Sequence, residues 1–549
     1  ASLAQGLAGA YLAARQASMG ADFETAADYY TRALARDPGN PQLLESAAHA
    51  QLSLGRLERA VPIARKIEGD GLASQIAAMV LIGEEARRDS YDALIARVEA
   101  EKGVGPLVDG LIKAWALMGK GDVSAALAQF DTVGEQRGLQ GFALYHKALA
   151  LAMVGDFESS EAIFAAADQN ALQLTRRGAL AHIEMLSQLE RPQQAVDLLD
   201  RLFGPDLDPA MREMRAILAA GKTLPYTTVR SSRDGIAEVF YSVAAALSSD
   251  ADEDYTILYS RVAEFLSPTH TDALLLSASL LDDLQLYDLA EATYARVSVD
   301  DPSYHAAELG RAESLRRVGR LDEAGKVLNQ LTQTHGELPI VHVTLGDLKR
   351  QQDDYEAAID AYDAALSLSE GDSPSQWFVY YARAISFERL DRWDQAEADF
   401  RKALTLNPEH PQVMNYLGYS LVEQRLKLEE ALDLIQRAVN VSPDSGYIVD
   451  SLGWVLYRLG RYQDAVPHME RAAELMPVDP VVNDHLGDVL WAVGRKREAE
   501  FQWKRALSFV DEENPADDVQ PERIRQKLEI GLDAVLDIEG AVPLQAAHD

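Results

Sequence analysis

The sequence predicts an all-α solenoid of about fourteen stacked helix pairs, closed by a C-terminal capping helix. Three observations carry the prediction. Matching segments recur about every 34 residues, with units starting at 7, 41, 75, 107, 141, 176, 237, 271, 305, 339, 377, 411, 446 and 480. Two positions are small in most units: Ala48, Ala148, Ala278, Gly346, Gly418, Gly453 and Gly487 at the eighth, Ala60, Ala126, Ala290, Ala358, Ala431, Ala465 and Ala499 at the twentieth. Proline closes many units, as at Pro38, Pro268, Pro302, Pro408, Pro443 and Pro477, because it cannot continue a helix.

Within a unit, the apolar spacing reads as two short amphipathic helices with a turn between them, as in YRLGRYQDA, where Gly460 breaks the pattern. Small residues at facing points let the helices approach, while large neighbours fill the grooves. In chain order, residues 1–204 form an N-terminal array of degenerate repeats, weakest at 75 and 176. Residues 205–236 hold three prolines and a polar Thr/Arg/Ser stretch. They read either as a junction between two arrays or as a degenerate repeat with a long turn. Residues 237–510 form the C-terminal array, distorted only at its start. SLSEGDSPSQ, residues 367–376, reads as an exposed loop, and QRLKLEEA inserts about one residue in a turn. Residues 511–537 give an acidic loop and the capping helix, with Pro521 at a first helical position, and 538–549 a frayed tail.

Asp and Glu outnumber Lys and Arg 87 to 52, a net charge of −35. Such a surface repels phosphate backbones and anionic lipid, so nucleic acid is not an expected partner, and the acidity serves solubility. There is no cysteine, which removes disulfides and thiolate chemistry and suits an oxidising compartment. No apolar run is long enough to span a bilayer. The chain opens ASLAQGLAGAYLAARQ without a methionine, as expected of a processed or trimmed chain.

The co-occurrence of small residues at eight and twenty, aromatics near 17 and 24, and proline at 32 resembles the tetratricopeptide repeat over nearly the whole length. That resemblance implies helix pairs stacked into a right-handed superhelix. No metal, nucleotide or hydrolase motif accompanies it. Gly119-Lys120 lacks the upstream glycine of a phosphate loop, and Ser420 lacks the second glycine of a nucleophile elbow. His335, His410, His468 and His485 are scattered, and pairs such as Asp353-Asp354 and Glu429-Glu430 diverge on a helix. No catalytic residue, cofactor or metal is expected.

A second stripe, at positions 2, 5, 9, 12 and 13 of each first helix, lies well away from the packing stripe. In tetratricopeptide arrays it lines the concave groove that binds peptides and partner helices. Here it supplies Phe378 and Tyr381, then Asn415 and Tyr419, then Tyr447, Asp450, Trp454, Tyr457 and Arg458, then Asp484, Asp488 and Trp491. Aromatics in such a stripe bring large contact area at small entropy cost.

The segments NYLGYSLVEQ, DSLGWVLYRLGRYQDAV and DHLGDVLWAVGRKREAE further resemble bacterial cell-envelope tetratricopeptide proteins, clearly over about residues 378–510. Some of these are outer-membrane lipoproteins that partner a periplasmic carboxyl-terminal processing protease and bring it substrates such as peptidoglycan hydrolases. The resemblance implies a non-catalytic adaptor, periplasmic or outer-membrane-associated. A lipoprotein needs an acylated cysteine, which this chain lacks, so the expectation is either a lost anchor or a free periplasmic protein. A scaffold for envelope assembly or polysaccharide export is the alternative. A cytosolic co-chaperone clamping a carboxylate ranks lower, because Asp450, Asp484 and Asp488 stand where it would need cations. Homo-oligomerisation through terminal units stays open.

Overall fold

Local chemistry sets the helix boundaries. Many second helices begin at an aspartate whose carboxylate accepts a backbone N–H three residues on: Asp22 from Thr25 at 3.0 Å, Asp122 from Ala125 at 3.1 Å, Asp156 from Ser159 at 3.1 Å. Many first helices begin with proline, whose missing N–H costs nothing there: Pro41, Pro106, Pro339, Pro411 and Pro480. The turn inside a pair places one residue in the left-handed region, such as Gly460 (φ 75°). The next N–H, that of Arg461, then closes back onto the Leu456 carbonyl at 2.9 Å.

A computed structural model describes residues 7–166, 175–204, 207–369, 371, 373–511, 519–541 and 544. Among them every regular element is helical: 31 α-helices and a 3-10 turn at Pro374–Gln376. Most of the acidic loop and most of the tail expected at the C-terminus lie outside the described residues. The chain divides into two compact units, Ala1–His335 and Gly336–Asp549.

In the first unit the pairs are α1 (Leu7–Met19) with α2 (Phe23–Leu34), α3 (Pro41–Ser53) with α4 (Leu57–Gly69), and α5 (Gln75–Arg87) with α6 (Tyr91–Glu99). They continue as α7 (Pro106–Gly119) with α8 (Val123–Gly134), α9 (Gln140–Met153) with α10 (Phe157–Ala165), and α11 (Arg176–Gln188) with α12 (Pro192–Phe203). A lone helix, α13 (Pro209–Ala219), precedes an extended strap. Then come α14 (Ser232–Leu247) with α15 (Glu253–Leu266), α16 (Thr271–Asp283) with α17 (Tyr287–Tyr294), and α18 (Tyr304–Arg317) with α19 (Leu321–Thr334).

The stretch 205–236 lies inside this first unit, and its described residues are α13, the strap and the start of α14. The strap is pinned to α11: Leu224 N–H donates to Ser187 Oγ at 2.7 Å and Thr227 N–H to Glu184 at 2.9 Å, with Leu224 and Val229 buried. The distortion expected near 237 has a tertiary cause. Helix α14 begins at Ser232 rather than 237, and α14 and α15 pack across α3, α5, α7 and α9. Tyr255 and Tyr259 both reach Gln75, and Arg261 Nε donates to the Ser53 carbonyl at 3.0 Å. Helix α5 is therefore covered on all sides and buries the unbroken run Ala77–Glu84, which is why its helical stripe is weak in the sequence. The unit's own helices fill the face that its first helices share.

In the second unit the pairs are α20 (Pro339–Gln351) with α21 (Tyr355–Ser367), α22 (Trp377–Arg389) with α23 (Trp393–Leu406), and α24 (Pro411–Glu423) with α25 (Leu428–Val441). Next come α26 (Gly446–Arg458) with α27 (Tyr462–Leu475) and α28 (Pro480–Ala492) with α29 (Lys496–Phe509). The residue inserted after Val422 is absorbed by two left-handed residues, Arg425 (φ 55°) and Lys427 (φ 46°), before α25 begins. The expected single capping helix is two: α30 (Pro521–Ile530) and α31 (Leu532–Ile538), separated at Gly531, whose φ of 83° breaks the helical path.

The small eighth position has a steric cause. A Cβ on Gly453 would lie 2.2 Å from Met469 Sδ, and one on Gly487 2.3 Å from Trp503 Nε1. Trp503 is fully buried and donates to Asp488 Oδ1 at 3.0 Å, so it cannot yield. Gly487→Ala is therefore expected to destabilise the second unit by ~1–3 kcal/mol through overpacking. An ordinary helical glycine would instead gain up to ~1 kcal/mol from alanine. Urea unfolding of the two chains reads the sign, and a gain in stability would refute the packing account.

Candidate functional site

Side chains three and four residues apart on a helix share a face, so successive first helices present a row each to one cleft. That cleft holds about 590 Å³ in the second unit. Glu388 and Arg389 enter it from α22, and Tyr416, Tyr419, Ser420 and Glu423 from α24. Trp454, Tyr457 and Arg458 come from α26, and Asp484, His485 and Asp488 from α28. The C-terminal helices close the far side with Gln520, Arg523, Leu536 and Glu539.

The aromatic wall is built and held. The Trp454 ring lies 4.0 Å from the His485 ring at an 11° tilt and 4.9 Å from the Tyr457 ring at 14°. Its indole N–H donates to Glu423 at 2.8 Å, and the Arg458 guanidinium sits 5.8 Å from its centroid. Behind it, His485 Nδ1 is 2.9 Å from Asp450. Burial alone would push the His485 pKa down, but the Asp450 carboxylate and the acids Asp484 and Asp488 around it raise it above its ordinary value. Burial pushes the Tyr457 phenol up, with Asp488 nearby adding to it, so it stays protonated.

At the α28 end the cleft is occupied from within. Lys527 of α30 is fully buried, and its ammonium donates to both oxygens of Asp484 at 2.8 and 2.9 Å and to Asp488 at 2.6 Å. Arg523 stands 3.5 Å from the second Asp488 oxygen. The Asp484 carboxyl is raised by burial, with Lys527 opposing. Trp491 donates to Asp533 of α31 at 2.9 Å, with the Lys496 ammonium 4.3 Å from its ring.

Six of the twelve stripe residues therefore meet in the cleft: Tyr419, Trp454, Tyr457, Arg458, Asp484 and Asp488. The others fall elsewhere. Phe378 and Tyr447 are exposed outside it, and Tyr381 packs against Phe400 and Tyr416. Asn415 and Asp450 are buried, Asp450 behind His485, and Trp491 is half-buried and donates to Asp533 of α31. Trp454 and Tyr457, expected as contact residues of the groove, are mostly buried, and the His485 ring of the next first helix stacks on Trp454. Glu388, Arg389 and Glu423 were missed although they occupy positions 12 and 13 of the same register. Gln520, Arg523, Lys527, Leu536 and Glu539 follow the last repeat, where no period remains to mark them.

This fold and cleft define a tandem helix-pair repeat protein with a groove formed by its first helices. Models of the tetratricopeptide repeat match residues 8–73, 275–337, 337–409, 381–448 and 424–480, and these segments are tetratricopeptide repeats. The chain is 28% identical over 173 residues to the TPR repeat-containing protein PA4667 of Pseudomonas aeruginosa, covering 31% of this chain and 28% of that protein. It is 24% identical over 207 residues to the human protein O-mannosyl-transferase TMTC1, covering 37% of this chain and 22% of that protein. The chain thus spans about a quarter of the length of the curated relatives it matches. A crystal structure of the APC/C hetero-tetramer Cut9-Hcn1 aligns over 95% of both chains at 14% identity and a TM-score of 0.39.

Proposed function

We propose that this chain is a non-catalytic adaptor of the bacterial cell envelope, which binds a partner protein in the cleft of its second unit. The observation that carries the reading is the cleft itself: an aromatic wall bounded by charges of both signs, the composition of a protein-binding surface. The first unit's equivalent face is filled by α14 and α15, which leaves the partner to the second. The finer assignment is that the partner is a periplasmic carboxyl-terminal processing protease together with its substrates. It rests on the resemblance of residues 378–510 to envelope adaptors, and is compatible with the likeness to PA4667.

Affinity purification from envelope extract tests both levels. Tyr419→Ala and Arg458→Ala, on the open part of the wall, are expected to lower partner recovery at least tenfold, as hot-spot truncations do. Unchanged recovery would remove the groove assignment. Co-recovery of a processing protease and cell-wall hydrolases supports the finer reading. Assembly or export components without a protease would replace it with the scaffold.

A further inference from the structure

The groove already contains a ligand made of the chain itself. Helix α30 places one ammonium, that of Lys527, between two carboxylates one turn apart on α28, and all three of its hydrogen bonds end on Asp484 and Asp488. Asp488 is 1% exposed, and its second oxygen makes no hydrogen bond. The seat is thus a preformed cation site on the partner-binding face, with Arg523 3.5 Å from that second oxygen. Of the ten residues of α30, only Ile524 and Lys527 are buried, and α31 adds Leu532, Val535 and Leu536, whereas α26 alone buries eleven of thirteen. Gly531, the break between the two helices, lies against Trp491. The cleft left open beside it carries Glu388 and Glu423 on the neighbouring first helices, next to Arg389 and Arg458.

We propose that α30–α31 is a displaceable internal occupant of the groove, and that the external partner is a helical segment presenting a lysine or arginine, which takes the place of Lys527 between Asp484 and Asp488. The proposal rests on the groove reading above and adds the partner's chemistry and its regulation. Charge complementarity favours a cationic helix, since the whole chain carries −35 and the seat is a carboxylate pair. A tethered occupant competes at high effective concentration, so the partner gains access only when its own contacts along Tyr419, Trp454 and Arg458 outweigh the tether.

The test uses the full chain and a fluorescein-labelled synthetic peptide of residues 519–541, VQPERIRQKLEIGLDAVLDIEGA. Two variants release the occupant by different routes. Lys527→Ala removes the cation. Gly531→Val leaves Lys527, Asp484 and Asp488 untouched but forces a β-branched residue into φ 83°, with its Cβ 2.8 Å from Trp491. Amide exchange in α30 is expected to quicken at least tenfold in both, with α26 and α28 unchanged as the control for folding. Both variants are expected to bind the peptide at least tenfold more tightly than the parent chain, and the peptide with its lysine replaced by alanine is expected to lose that gain. Equal binding by parent and variants, undiminished binding by the alanine peptide, or α30 protection that survives both variants would each overturn the proposal. None of these depends on partner recovery with Tyr419→Ala, so the groove reading and this one fail separately.

Discussion

Arg177→Met is expected to destabilise the first unit by ~3–5 kcal/mol, because it strands a buried carboxylate. Glu238 on α14 is fully buried. It accepts from Arg177 Nε at 2.8 Å and from the Tyr145 hydroxyl at 2.8 Å, and His270 Nε2 lies 3.1 Å away. Arg177 also reaches Asp272 at 2.8 Å and the Thr228 carbonyl of the strap at 3.0 Å. One side chain thus ties α11, the strap, α14 and α16 together. Trp115 is the single tryptophan of residues 1–335, so 5-fluorotryptophan NMR under urea follows this unit alone. The double variant Arg177→Met/Glu238→Gln is expected to recover part of the loss, since it removes the unpaired charge. A single variant costing under ~1 kcal/mol would show that the network does not hold the unit.

Lowering the pH from 7 to 4 is expected to cost the first unit ~3 kcal/mol through His146 alone. Trp115 Nε1–H donates to His146 Nδ1 at 3.1 Å, so the neutral ring carries its proton on Nε2, 3.1 Å from Ser242 Oγ. Burial pushes the pKa down to about 4, with Glu238 opposing. The folded value lies below the unfolded one near 6.5, so this stabilisation is complete above pH ~6.5 and is lost as the pH falls towards ~4. Glu238 adds to the loss at lower pH. Burial works against its charge, but Arg177 and His270 hold it below the usual carboxylate range, and its contribution goes as the pH drops through that range. His485 in the second unit has the opposite sign. Its raised pKa stabilises below pH ~6.5 and is lost as the pH rises through the folded value. Unfolding midpoints of the Trp115 and Trp454 fluorine signals between pH 4 and 8 check both directions. An acid-insensitive Trp115 transition would contradict the buried neutral histidine.

Particular residues show what could be read in advance. The helix pairs were legible because Gly453, Gly487 and Ala465 are set by contacts within one repeat, whose partners lie about half a period away. Six of the sixteen residues lining the cleft were legible for the same reason, and Tyr419, Trp454 and Asp488 among them follow from helix register. Register gives the direction of Trp454 and not its cover. The His485 ring that stacks on it belongs to the next repeat. Phe378 and Tyr447 share the register but stand at the second position of their helices, outside a cleft that α22 and α26 line from Glu388 and Trp454 onward.

The sequence by itself determined the repeat, the helix boundaries of its regular units, the small packing positions and the stripe that faces the groove. Each depends on interactions between residues close in the chain, and these recur with a period. Tertiary structure alone decided which groove stays available. Gln75 meets Tyr259 across 184 residues, and Lys527 meets Asp484 across 43, and neither contact repeats. A contact that occurs once leaves no period to detect, so the filled face of the first unit and the occupied seat of the second appear only when the chain is folded.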